Sequence, residues 1–149
     1  MQALNLFAVD HPKSEAFKHE RMEAVGLTCP PNMRFVAVDF TGEDSLADSL
    51  AAAGFDAAKP SIWSWLGVVH YLTVEEVYAT LTEVAQLAET GSTLVARFGV
   101  PDDFMEPASR EFAYIVREVV AQAGEPQITW LGAGEMEAIA RKGQLAAGP

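Results

Sequence analysis

Five short apolar runs alternate with segments of helical periodicity along this 149-residue chain, and that alternation limits the fold more than any other feature. The runs are Leu4 to Val9, "MRFVAVDF", Ile62 to Leu66, "STLVARFGV" and the shorter "QITWL". A first helix is predicted to open at Pro12 and stop at Gly26, with Phe17 and Val25 as its apolar contacts. "DSLADSLAAAGF" places Leu46, Leu50 and Ala53 on one helical face, with Gly54 as the stop. Thr73 and Glu76 form a T-x-x-E capping box, after which Val77, Leu81, Val84 and Ala88 recur at helical spacing until Gly91. Pro107 opens a fourth helix whose Phe112, Val116, Val119 and Ala123 are expected to face a core, and "GEMEAIARKG" gives a fifth. Strands alternating with helices predict βαβ units in a largely parallel sheet, and the nearly unbroken apolar character of the strands predicts cover on both faces.

The chain has the length of a single domain spanning residues 1–149, and half of its residues are hydrophobic, so a core is expected without disulfide staples. Ten Lys and Arg stand against 21 Asp and Glu, a formal net charge of −11 that repels phosphate backbones and anionic lipid. Nucleic acid and membrane are therefore not expected partners. No apolar run approaches the ~20 residues of a membrane span, and Cys29 has no second cysteine to pair with. The N-terminus shows no secretory pattern, and the cytoplasm is the expected location.

In parallel α/β sheets ligands bind beyond the carboxyl ends of the strands, which singles out Asp10, His11, Asp39, Phe40, Leu66, Gly67, His70, Tyr71 and the Phe98–Asp103 segment. A strand-end carboxylate accepts hydrogen bonds from the vicinal hydroxyls of a ribose, a role open to Asp10; capping the helix at Pro12 is the other reading, and the two are compatible. Asp39 has the chemistry to accept from an exocyclic adenine amine while Phe40 covers the base, or else to end its strand in a turn. Two acids closing successive strands favour nucleoside binding. His11, His19 and His70 lack any metal-ligand spacing. His70 suits a general base near neutrality, or is a loop histidine. Trp63 and Trp65 share one strand face and read as core. Gly132-Ala133-Gly134 mimics the start of a dinucleotide fingerprint without its following strand and acid.

Together, "FAVDHPKSEAFKHERM", "RFVAVDF", "AAGFDAAKPSIWSWLGVVHYLT" and "FMEPASREF" resemble, in order and spacing, the leucine carboxyl methyltransferase-like family of S-adenosylmethionine-dependent enzymes, in particular its bacterial O-methyltransferase branch. The likeness runs from about Leu4 to about Leu131 and is most specific in the V-D-x-P, V-D-F and W-x-W-x-G-V-x-x-Y-L segments. The resemblance implies a three-layer, mostly parallel, Rossmann-like methyltransferase sheet with the methyl donor S-adenosylmethionine across the strand ends. It assigns Asp10 to the ribose and Asp39 with Phe40 to adenine. It matches Gly67 and Tyr71 to the turn after the fourth strand, with Leu66 and Gly67 on the donor side; apart from the resemblance, His70 and Tyr71 are taken as contacts for a small-molecule acceptor.

Against the family pattern, the first strand and its glycine-rich loop are expected before Leu4 and the last antiparallel strands after the fifth helix. The expected fold is therefore that sheet truncated at both ends. Ala8 and Leu66 stand where family members commonly carry Glu. Loss of a strand between the family's second and fourth exposes two apolar edges, so the sheet is expected to close up or two chains to pair as a homodimer. The alternative to a donor-binding enzyme is a non-catalytic, homo-oligomeric remnant of the same fold.

Overall fold

Turn and cap residues punctuate the chain close to where its sequence predicts, and a computed structural model describes residues 4–42 and 44–145. Two compact units are present, Met1–Ala58 and Lys59–Pro149.

The first unit begins with β1 (Leu6–Asp10), α1 (Pro12–Ala24), β2 (Met33–Ala37) and α2 (Leu46–Ala52). β1 and β2 pair in parallel from Leu6 opposite Met33 to Asp10 opposite Ala37, as a βαβ crossover requires. The ladder extends past β2, because the Val38 amide donates to the Asp10 carbonyl at 2.9 Å. Val36, Val38, Leu46 and Leu50 are buried, so one face of this pair is covered by α2. Ser45 caps α2 by accepting from the Asp48 amide. α1 departs from expectation: it buries no residue, and Phe17 and Val25 are exposed. Its sequence explains this, since polar side chains leave it no continuous apolar stripe.

In the second unit β3 (Ile62–Trp65) and β4 (Thr93–Ala96) pair in parallel around the crossover helix α3 (Val74–Leu87). α3 carries the expected capping box: the Thr73 hydroxyl accepts from the Glu76 amide and the Glu76 carboxylate from the Thr73 amide. Val77, Leu81 and Val84 are buried on its inner face with Trp65, Val69, Leu72, Leu131 and Met136. Full burial of one such aliphatic side chain stabilises the fold by ~1.5–3 kcal/mol. α5 (Ala133–Lys142) packs on α3, and Gly132 is its N-cap, its amide donating to the Glu135 carboxylate. The glycine pair that mimics a fingerprint thus starts a helix.

α4 (Pro107–Gln122) opens at Pro107 as predicted, yet it buries no residue, and Phe112, Val119 and Ala123 are exposed rather than in a core. "QITWL" runs extended without joining either sheet. Its amides are used nonetheless, Ile128 donating to the His70 carbonyl at 2.7 Å and Leu131 to that of Gly99 at 2.9 Å. Among the described residues the strands pair as β1–β2 in the first unit and β3–β4 in the second. Each pair is connected through its own crossover helix, α1 or α3. No helix among the described residues is long and apolar enough to cross a membrane.

Candidate functional site

The carboxyl end of the β1–β2 pair gathers two acids and a histidine. Asp10 is the last residue of β1; its Oδ1 accepts from the His11 amide at 2.8 Å and its Oδ2 pairs with Lys18 Nζ on α1. The helix cap expected of Asp10 belongs to His11, whose Nδ1 accepts from the Lys13 amide at 3.1 Å. With Nδ1 an acceptor, the neutral ring carries its proton on Nε2, which lies 3.7 Å from Asp39 Oδ2. His11 therefore spans the gap between the two carboxylates.

Asp39 lies two residues beyond β2, because its own side chain ends the strand. Oδ1 accepts from both the amide and the hydroxyl of Thr41, at 2.9 and 2.7 Å, and the Asp39 carbonyl accepts from Gly42. The Thr41 hydroxyl, then its amide, holds this carboxyl below its ordinary value of 3.8, with a smaller contribution from His11 and Lys13. A carboxylate offers about four acceptor positions. Among the described residues, two of Asp10's are unfilled, and Asp39 Oδ2 accepts no hydrogen bond, the His11 ring lying 3.7 Å away. Both side chains are about one third exposed, 29% and 35%, so an incoming hydroxyl or amine can reach them. Phe40, half-buried, follows Asp39 directly.

The carboxyl end of β3 carries the other predicted residues. Leu66 is exposed, and Gly67 turns the chain with φ +76°, a conformation in which an L side chain is strained. A single turn of 3-10 helix over Val69–Tyr71 follows, anchored by fully buried Val69. It sets the His70 and Tyr71 rings 4.3 Å apart at 54°. Burial, then the charge of Arg97, holds the His70 imidazole below its ordinary 6.5, so it is neutral at pH 7. Trp65 is buried, which makes it core as expected.

Beside His70 lies a cavity of about 270 Å³ walled by Arg97, Gly99, Met105, Phe112 and Trp130. Trp130 is held in place. Arg117 sits over its ring at 3.8 Å and is in turn paired with Asp102 at 2.7 Å, while Thr129, next to it, donates its buried hydroxyl to the Leu72 carbonyl. The bridging role of His11 and the grouping of Arg97, Phe112 and Trp130 were missed from sequence. An arginine closing a strand in so acidic a chain was the available signal for the second.

Residues 1–85 match the sequence model of the family described as leucine carboxyl methyltransferase. The chain is 30% identical over 124 residues to YktD of Bacillus subtilis (strain 168), covering 83% of this chain and 40% of that protein. It is 38% identical over 106 residues to a protein of Parafrankia sp. (strain EAN1pec), covering 69% and 33%. Both relatives carry the name "Putative S-adenosyl-L-methionine-dependent methyltransferase". Among solved structures, the apo form of the S-adenosylmethionine-dependent methyltransferase SibL superposes with a TM-score of 0.60 at 15% identity, covering 94% of this chain and 37% of that one. That likeness is one of fold. The chain thus spans a third to two fifths of the length of these relatives.

Proposed function

This chain belongs to the leucine carboxyl methyltransferase family, and on that premise we propose that it binds S-adenosylmethionine through the rim of its first unit. Asp10 takes the ribose hydroxyls, Asp39 Oδ2 takes the adenine amine, and Phe40 lies against the base. One observation carries this reading: the two acids stand at the same end of adjacent parallel strands, bridged by His11, with acceptor positions still open. By resemblance Leu66 and Gly67 are donor-side residues as well; His70 and Tyr71, beside them, are assigned to a small-molecule acceptor as part of this proposal.

When bound, the donor supplies an electrophilic methyl group on a sulfonium. The chain's part is binding and alignment, which count for more in such a transfer than a dedicated base. A positioning role for His11 is supported by its amide, which donates to Asp10, and by its ring, which lies 3.7 Å from Asp39 Oδ2. The two units together make up one methyltransferase-like domain, a reading supported by the 94% of the chain that superposes on a single such protein.

The free edges of two-stranded sheets and the exposed Ile62 and Val95 support pairing of two chains as a homodimer. Light scattering at rising concentration checks it, a constant monomer mass being the contrary result. The acidic charge and lone Cys29 support a cytoplasmic protein without nucleic-acid or membrane partners. Calorimetric titration of S-adenosylmethionine and its demethylated product into the full chain tests the reading. Saturable micromolar binding is expected, and silence at millimolar concentration would refute it and leave a non-catalytic remnant.

A further inference from the structure

The cavity beside His70 pairs a hydrogen-bond acceptor with a cation, with Gln127 as a further polar member of a largely apolar, aromatic wall. Its volume of about 270 Å³ exceeds the ~150 Å³ that encloses a benzene ring and falls just short of the ~300 Å³ at which drug-sized pockets begin. One ring with small substituents fits. Phe112 and Val116, one turn apart on α4, form one wall, and Trp130, held between Gly99 and Arg117, forms another.

The polar members are fewer and more telling. Arg97 makes no hydrogen bond or ion pair with any described side chain, in a chain where acids outnumber bases 21 to 10. No carboxylate is among the described residues lining this pocket, so the guanidinium is open to a ligand anion. His70 lines the same space and is neutral, so one ring nitrogen can accept a hydrogen bond. A carboxylate has no O–H to donate to the bare ring nitrogen. A phenol has use for both groups.

We propose that this cavity binds a single-ring phenol, with its ring among Phe112, Val116 and Trp130 and its oxygen between His70 and Arg97. The phenolic O–H donates to a His70 ring nitrogen; where the phenol ionises its proton passes to solvent, and the oxygen, left negative, is stabilised by the Arg97 guanidinium. As the site of the methyl acceptor this rests on the methyltransferase reading. As a binding site it needs only residues of the second unit, so its failure and that of donor binding are separately visible.

The test titrates the full chain, without methyl donor, into 4-nitrophenol, whose visible absorption reports the ionised form. Near neutral pH the phenolate band should grow and saturate. Arg97→Gln should weaken binding roughly tenfold or more, the loss expected for one charge-assisted hydrogen bond, and Arg97→Lys should recover part of it. Because Arg97 is exposed, an unchanged melting temperature is expected and separates lost binding from lost folding. Phe112→Ala, also at an exposed position, should weaken binding without abolishing the growth of the band. An absorbance that never saturates, or an affinity indifferent to Arg97→Gln, overturns the site. Benzoate binding as tightly as the nitrophenol overturns the assignment to a phenol.

Discussion

Adding one methyl group at Gly99 tests how firmly the wall of the second unit's cavity is held. A Cβ built there falls 2.7 Å from both Cε3 and Cζ3 of Trp130. Carbon atoms settle at about 3.5–4.0 Å, so the indole or the Gly99 backbone must move by roughly 1 Å. Neither is free to do so. Trp130 is held by Arg117, which Asp102 holds in turn; the flanking Thr129 is anchored to Leu72, and Leu131 is hydrogen-bonded to the Gly99 carbonyl itself. Overpacking of this kind destabilises by ~1–3 kcal/mol. For a chain of this size, each kcal/mol lowers the melting temperature by roughly 2–4 °C. Gly99→Ala should therefore melt roughly 2–12 °C lower, with altered tryptophan fluorescence. Gly134→Ala is the control: its added Cβ meets nothing within 4 Å on α5, and helix propensity should raise stability by up to about 1 kcal/mol. A Gly99→Ala protein that melts and fluoresces like the parent would show that Trp130 is not pinned, and the account of a preformed cavity would fall with it.

Leu81→Ala, at a side chain with no exposed surface, should destabilise by ~2–5 kcal/mol in urea unfolding; a change below ~1 kcal/mol would mean that α3 does not cover the core as described. Thr41→Val removes the hydroxyl that most lowers the Asp39 carboxyl. Because the folded value lies below the unfolded one, this stabilisation is present above about pH 3.8 and is lost as pH falls through the lowered value. The variant's deficit relative to the parent should therefore hold steady above about pH 5 and shrink as pH falls from about 5 to about 2. A deficit that stays constant over that range contradicts it.

What could be read from the sequence follows the reach of each signal. α2 and α3 were legible because cap, apolar spacing and stop agree locally, and Leu46, Leu50, Val77, Leu81 and Val84 are buried as expected. α4 has equally clear spacing, yet Phe112 and Val119 are exposed, since periodicity shows that a face is apolar and not what covers it. The strand-end positions of Asp10 and Asp39 were legible from two runs that each break off at an acid. The role of His11 was not, because capping depends on which of two adjacent residues turns its side chain back on the helix, and that is settled by Asp10 pairing with Lys18. The cavity was hidden for another reason: Arg97, Phe112 and Trp130 are brought together only by the fold.

The central claim, that Asp10 receives the hydroxyls of a ribose, is tested most directly by a cycle of four calorimetric titrations. Adenosine and 2′-deoxyadenosine are each titrated into the parent chain and into Asp10→Ala. If the carboxylate bonds to the 2′-hydroxyl, removing that hydroxyl should weaken binding to the parent by roughly tenfold or more and should make almost no difference in the variant. An equal loss in both proteins, or no loss in either, would mean that Asp10 does not receive the sugar.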